Sequence, residues 1–445
     1  MDPSSIVIWL KPLIEPFARF FSRRLYARLR ARKRGSDTAG LILYAKRSEA
    51  SHDIHGIIEA ERQEVTLIAG SGGGTFRLLP DLARGIPPLE GCRMRVLLSH
   101  PTYMATRARV ERTSEHQQRQ RMLERIHTYL EHTSIPIEDI RLYLSPPTCS
   151  AVIAHAQRKL FINPYTLGAR AEETLSLLVD GTLFPKVFRE FVHAHLEGPW
   201  DKPDLCQPLQ DFIEEQNTDI ANSLLDKAFH KRAIGSDERP LFIAINGCTA
   251  VGKSTLAARM ARSIRNMRSR SCAILETDGW LKSPRWERIE KGVTGFDPEA
   301  YAIDDLSDTI NSLSGGHEGP NRKYDPVSGM PEDAGNVSPT EVVIVDGLMS
   351  THPSLVSRVD FSVWIECRGE THEKLRIKRD VNAPRSYSKE RAQKIWENHA
   401  RAWADFKKMC KPSDCSVALR ANRARMLILD EVRTDFGKPN GRETE

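Results

Sequence analysis

The 445-residue chain has no uninterrupted apolar run of the roughly 20 residues that a bilayer core requires. The nearest approach, Ile6 to Leu29, is broken by the charges of Lys11 and Glu15 and by Pro12 and Pro16, so a spanning helix is excluded there. No small-residue cleavage site follows, which argues against a secretory leader. Its eight cysteines form no CxxC pair and stand at no metal-ligand spacing from a histidine. That dispersion suggests neither a zinc site nor a disulfide framework, and it fits a reducing cytosol. Internal repeats and low-complexity tracts are absent, so solenoids and linker proteins are excluded as well. Charge of one sign is scarce: 65 Lys and Arg oppose 59 Asp and Glu, a formal balance of +6.

What is present is enough apolar content, 40%, for two ordinary domains with separate cores. The excess positive charge sits in one arm, where Arg19, Arg23, Arg24, Arg28, Arg30, Arg32, Lys33 and Arg34 interleave with and follow Ile6, Trp9, Phe17, Phe20 and Phe21. Two readings stay open for residues 6–34: a basic amphipathic segment lying on an anionic membrane surface, or a helix packed on its own domain. Beyond this segment (1–38), strands expected at 41–45, 64–70, 94–100, 141–145, 151–155 and 159–163 alternate with helices at 48–62, 104–132 and 183–197. Such alternation implies an α/β domain over 39–200. A proline-rich stretch from 198 to 208 and a helix from 209 to 232 lead through a linker region, 201–237, to a second α/β domain at 238–445.

The second domain opens on LFIAINGCTAVGKSTLAARM, an apolar strand, a GxxxxGKS loop and an amphipathic helix. In this context the pattern binds the phosphates of a nucleoside triphosphate. Gly247 and Gly252 allow the backbone N–H groups of Cys248, Thr249, Ala250 and Val251 to turn inward, and the helix start adds its positive dipole end. Lys253 is placed to reach the terminal phosphates, Ser254 to offer a hydroxyl to Mg²⁺, and Thr255 to contact the α-phosphate. The strand of EVVIVDGLM ends in Asp346, suited to orient the metal or its water shell.

Triphosphate binding alone serves switches, motors and kinases. Asp278, expected to end the strand within AILETDGWL (273–281), narrows the choice: a carboxylate at the carboxyl edge of a parallel sheet can take the proton of an acceptor hydroxyl during phosphoryl transfer. TDGW (277–280), GFDPEAY (295–301), RKYDPVSG (322–329) and VVIVDG (342–347) follow one another in the order found in the phosphoribulokinase, uridine kinase and pantothenate kinase family, which the chain resembles from 238 to 435. FSVWIE (361–366) resembles the next core strand, RIKRD (376–380) the arginine-bearing lid helix, and RARMLIL (423–429) a late strand near the base pocket. The resemblance implies a P-loop kinase fold with a mainly parallel sheet, ATP and Mg²⁺ as cofactors, and a small hydroxyl-bearing acceptor of nucleoside or related type. It implies Asp278 as general base, Arg376, Lys378 and Arg379 as a lid over the transferred group, and Tyr324 with Asp325 beside the acceptor. Arg322 either binds an anionic acceptor or coats a loop. Two features depart from the family pattern: Asp346 stands where uridine-kinase-like members commonly carry Glu, and the region after the lid is rich in Trp and Lys (Trp396, Trp403, Lys407, Lys408, Lys411).

Residues 78–101 and KLFINPYTLGA (159–169) resemble a single phospholipase-D-like half domain. Its HxKxxxxD signature is missing, since His100, His155, His193 and His195 are not followed by Lys two positions on. The resemblance therefore implies a non-catalytic sensing or dimerising module, with a homo-oligomer among the outcomes. The loop SGGG at 71–74 reads as a flexible turn. Two rivals to a kinase remain open at this level: an ATP-binding regulator with little turnover, and a nucleic-acid-associated protein using the basic arm, which the near-neutral remainder disfavours.

Overall fold

The computed structural model describes residues 40–69, 91–103, 114–133, 135–144, 149–164, 174–233, 239–410 and 415–430. The basic arm, the SGGG loop and the first part of the helix expected from 104 lie outside these residues. The chain divides into two units, the first ending at Phe212 and the second beginning at Ile213.

The first unit is built on an eight-stranded mixed sheet. Its elements are β1 (Leu41–Tyr44), α1 (Ser51–Ala60), β2 (Glu64–Ala69), β3 (Arg93–Ser99), α2 (Glu115–His132), β4 (Ile140–Tyr143), β5 (Cys149–Ala154), β6 (Lys159–Pro164), β7 (Ser176–Asp180), α3 (Pro185–Val192) and β8 (Cys206–Pro208). The strands run in the order β1-β7-β6-β5-β2-β3-β4-β8. Only the β2–β3 and β3–β4 pairs are parallel. Helix α2 starts at Ser114, whose hydroxyl accepts from the Gln117 N–H at 3.1 Å, a standard N-cap that satisfies one of the helix's open donors. Strands β7 and β8 were not expected from sequence. The first is a short apolar run closed by the turn pair Asp180 and Gly181, too short for its period to separate strand from helix, and the second is a three-residue edge strand ending in proline, where propensity argues against pairing.

The second unit begins inside helix α4 (Leu209–Ala233). Ile220, Ala221, Leu224, Leu225 and Ala228 of α4 join the core formed by the central strands and α5, so this half of the region read as a linker contributes to the kinase-like unit. There follow β9 (Leu241–Gly247), α5 (Lys253–Arg268), β10 (Cys272–Glu276), α6 (Arg285–Glu290), α7 (Ile303–Ser314), β11 (Gly319–Tyr324), β12 (Pro331–Val337), β13 (Val342–Asp346), β14 (Phe361–Glu366), α8 (Gly369–Val381), α9 (Lys389–Cys410), β15 (Val417–Ala421) and β16 (Leu427–Leu429). The sheet order is β10-β13-β9-β14-β15-β16. All neighbours are parallel except β15–β16. Strands β9 and β13 are buried along their whole length, as expected for a parallel sheet covered on both faces, which reads in sequence as continuous Val, Ile and Leu. Parallel strands align their carboxyl ends on one edge, and ligands in open α/β sheets bind there. That edge carries Gly247, Glu276, Asp346 and Glu366.

Candidate active site

The phosphate loop owes its shape to a close approach between strands. Gly247 pairs with Ile365 of β14, and a Cβ at position 247 would lie 1.9 Å from the Ile365 carbonyl oxygen. Its φ of +129° is also one that L side chains rarely adopt. The following N–H, of Cys248, donates to that same oxygen at 2.9 Å. The chain then turns through Ala250 and Gly252, at φ of +65° and +100°, and enters α5 at Lys253. Lys253 Nζ folds back over the loop, donating to the carbonyls of Gly247 at 3.2 Å and Cys248 at 2.8 Å. Burial pulls its pKa down, opposed by the carboxylates of Asp346 and Asp278. Ser254 and Thr255 stand exposed at the start of the helix.

Two acidic residues face this loop from adjacent strand ends. In the β10–β13 ladder Glu276 pairs with Asp346, and Asp346 pairs in turn with Ile245 of β9. Asp346 is 3% exposed. Burial raises its pKa to about 6, while a hydrogen bond from Ser254 and the charge of Lys253 pull the other way. Its Oδ1 has no hydrogen-bond partner among the described residues. A buried carboxylate oxygen left open beside a serine hydroxyl is a hard-oxygen donor pair of the kind that suits Mg²⁺. Ser254 and Asp346, singled out from sequence as the metal pair, are thus brought together.

Asp278 was expected to end the strand that begins at Ala273. Strand β10 instead stops at Glu276, and Thr277–Trp280 forms a 3₁₀ turn anchored by the fully buried Trp280. The turn lies against β13 because Gly347 lacks a side chain: a Cβ there would lie 2.1 Å from Thr277 Oγ1. Asp278 therefore projects from a tight turn beyond the sheet edge, where the Tyr301 hydroxyl reaches its Oδ1 at 3.3 Å. Tyr301 is 2% exposed, and burial followed by the Asp278 charge pushes its pKa up.

Arg376 and Arg379, the arginines expected to form a lid, converge together with Arg385 on Asp380, a residue 1% exposed. Its carboxylate accepts from Arg376 Nε at 2.9 Å, Arg379 Nε at 3.1 Å and Arg385 Nη1 at 2.5 Å. Burial alone would raise the Asp380 pKa, but the three guanidinium groups overcome it and hold it at about 2. Arg376 also reaches the phosphate loop, donating to Thr249 Oγ1 at 3.3 Å. Burial, with Arg376 and Arg385 alongside, pulls the Arg379 pKa down. Three guanidinium groups against one carboxylate leave a positive field beside the phosphate loop. Lys378, grouped with these arginines from sequence, is exposed.

On the acceptor side the expected residues separate. The Tyr324 hydroxyl accepts from Arg285 Nη2 at 2.9 Å. Asp325 caps its own turn, its oxygens accepting from the N–H groups of Val327 at 2.9 Å and Ser328 at 2.8 Å. Hydrogen bonds from the Ser328 hydroxyl and then from these two amides hold its pKa low. Arg322 turns to Asp305, with 3.6 Å between charged atoms.

Sequence reasoning assigned no role to Glu276, Tyr301, His372 or Asp380. Glu276 stands two residues before Asp278, and Asp380 closes the RIKRD string, so both signals were in plain sight. His372, whose Nε2 accepts from the Thr249 N–H at 3.1 Å, is joined to the loop only by the fold. Among the described residues no helix is long and apolar enough to cross a membrane.

The model of the Phosphoribulokinase / Uridine kinase family matches residues 242–423. A uridine kinase of Clostridium perfringens is 31% identical over 150 residues, covering 33% of this chain and 70% of that protein. A chloroplastic phosphoribulokinase of Triticum aestivum is 26% identical over 171 residues, covering 34% of this chain and 41% of the relative. Among solved structures, D-glycerate 3-kinase from Cryptococcus neoformans superposes with a TM-score of 0.39 at 11% identity, covering 48% of this chain and 97% of that one. Through its second unit, the chain belongs to the phosphoribulokinase and uridine kinase family.

Proposed function

We propose that this protein is an ATP-dependent kinase that transfers the γ-phosphoryl group to a hydroxyl of a small metabolite, a nucleoside-like compound or related alcohol. The observation that carries this reading is the position of Asp278 in a turn beyond the sheet edge, near enough to Lys253 and Asp346 for their charges to act on one another. A carboxylate there serves no purpose in holding a triphosphate. It does serve to receive a proton.

The triphosphate lies along the N–H groups of residues 247–255, and Lys253 exchanges its two carbonyl partners for phosphate oxygens. Ser254 and Asp346 are the residues that would hold Mg²⁺, which when bound offsets negative charge on the phosphates. Asp278 takes the proton of the acceptor hydroxyl as its oxygen bonds to the γ-phosphorus and the bond from phosphorus to the bridging oxygen breaks, leaving ADP. Arg376 and Arg379 stabilise the equatorial oxygens and keep water from competing as acceptor. For the first unit, the absent HxKxxxxD signature supports a non-catalytic role on a phospholipase-D-like frame.

The test is direct. The purified full chain is incubated with ATP, Mg²⁺ and a library of nucleosides, sugars, sugar phosphates and pantothenate-like alcohols, and products are read by mass spectrometry. One acceptor gaining a phosphoryl group with stoichiometric ADP is expected. ATP binding without transfer to any member would replace the kinase reading with that of a nucleotide sensor.

A further inference from the structure

Behind the phosphate loop three ligand-type side chains converge from three elements. Cys248 follows Gly247, Cys367 follows the end of β14, and His372 stands in the first turn of α8. Their donor atoms all lie within 4.8 Å of one another. Cys248 and His372 are each 2% exposed, whereas Cys367 is partly open to solvent. Phosphoryl transfer as derived above uses neither thiol.

We propose that Cys248, Cys367 and His372 form a Zn²⁺ site whose occupation opposes nucleotide binding. Two sulfurs and one imidazole make a soft-to-borderline donor set that suits zinc and rejects Mg²⁺, which takes oxygen ligands. The magnesium needed for catalysis therefore does not compete. Zinc bonds of about 2.0 to 2.3 Å bring tetrahedral ligands to about 3.5 Å from one another. Side-chain rotations at the three positions supply that contraction, and the partly open Cys367 side is the way in. A fourth position stays open for water.

The antagonism follows from one nitrogen. The Thr249 N–H donates to His372 Nε2 at 3.1 Å and the Thr249 hydroxyl lies 2.8 Å from it. That nitrogen therefore carries the lone pair that a metal would take. Zinc and Thr249 compete for it, and drawing Cys248 toward the metal moves the residue between Gly247 and Thr249. Zinc thus detaches the phosphate loop from its support. The coupling rests on the triphosphate-binding reading of residues 247–255, but the metal site does not.

The experiment uses the reduced, metal-free full chain. Zn²⁺ is titrated in competition with a chromophoric chelator, and Co²⁺ is added separately as a spectroscopic probe. One zinc per chain is expected, with a thiolate-to-cobalt charge-transfer band in the near ultraviolet. Cys367→Ser should weaken zinc binding by more than about 100-fold, beyond the effect of an outer-shell partner. Cys367→Ala serves as a second variant, and circular dichroism checks that both fold. A non-hydrolysable ATP analogue should weaken zinc binding by the same factor by which zinc weakens the analogue. Equal zinc affinity in wild type and both variants, or a cobalt complex without the thiolate band, would overturn the site. Zinc that binds without changing the affinity of the analogue would overturn the antagonism. Zinc binding with no analogue binding under any condition would leave the site standing and instead remove the triphosphate reading.

Discussion

Arg376 Nε lies 2.9 Å from Oδ2 of Asp380, one helical turn further along α8, and the same carboxylate holds Arg379 and Arg385. Asp380 touches no part of the proposed reaction, so it acts as a positioning residue. In Asp380→Asn the three guanidinium groups lose their shared counter-charge and their fixed directions. Turnover should fall on the order of 100-fold, the cost of a misplaced catalytic group, while the nucleotide affinity changes little. Stability should fall by about 3 kcal/mol, since removing one partner of a buried ion pair strands the others. The sign of the pH dependence is fixed by a carboxyl held at about 2 against an ordinary 3.8. The stability difference is complete above pH 3.8 and closes as pH falls through 2. Thermal melts across that range, with steady-state kinetics at neutral pH, check both parts.

Asp278→Asn separates chemistry from binding. It keeps the shape of the turn and removes the proton acceptor, so turnover should drop by about 10³ or more, with ATP affinity by calorimetry unchanged within a few fold. Tyr301→Phe deletes only the hydroxyl, which donates to the Gly295 carbonyl at 2.9 Å and lies 3.3 Å from Asp278. Its expected loss is about fivefold, the equivalent of one net hydrogen bond of about 1 kcal/mol. Comparable losses in the two variants would contradict Asp278 as the base.

The phosphate loop and the central strands were readable from sequence because their chemistry is local. GxxxxGKS needs only its own strand and helix, and β13 announces itself as a run of Val and Ile ending in Asp346. The lid clamp was not readable, because its meaning depends on which way the side chains of one helix face. Arg376, Arg379 and Asp380 share a side at spacings of three and four residues, while Lys378, between them in sequence, does not. Helix α9 and strand β15 were missed altogether. The buried side of α9 combines Ala392, Phe406 and Cys410 with Trp403, which packs on Trp364, Phe296, Phe406 and His372, and in sequence the helix appears only as a Trp-rich basic stretch. Strand β15 is a single short run beside α9. The link between His372 and Thr249 spans 123 positions, a distance across which local pattern carries no information.

Asp346→Asn should trade stability against function. A carboxyl whose pKa is raised to about 6 by burial is penalised wherever it is ionised, so the wild type carries a cost that appears as pH rises from 3.8 through 6. The asparagine variant lacks that cost. In magnesium-free buffer it should melt no lower than wild type at pH 5 and higher at pH 8, by up to about 3 kcal/mol in unfolding free energy. Its activity should fall at least 100-fold, in line with loss of a charged group that meets the metal and phosphates. A variant less stable than wild type at pH 8 would mean that the ionised Asp346 is satisfied by groups other than a metal.

The acceptor side offers the sharpest division between a residue that holds a loop and one that meets a substrate. Asp325 spends both oxygens on the amides of Val327 and Ser328, and Arg322 is directed to Asp305. Tyr324 instead accepts from Arg285, which also reaches the Tyr387 hydroxyl at 3.5 Å, just past the lid helix. Arg285 therefore joins Tyr324 of the β11–β12 hairpin to Tyr387 beyond helix α8, and the proposed function puts the acceptor beside this link. Asp325→Ala should lower the melting temperature slightly and leave the acceptor KM within about twofold, because no substrate contact is lost. Tyr324→Phe releases Arg285, and the acceptor KM should rise about tenfold with the ATP KM unchanged, the signature of weakened binding confined to one substrate. If Asp325→Ala raised the acceptor KM tenfold at an unchanged melting temperature, its carboxylate would be reaching the substrate. The turn would then be a product of the substrate-free state, and the acceptor pocket would have to be redrawn around Asp325.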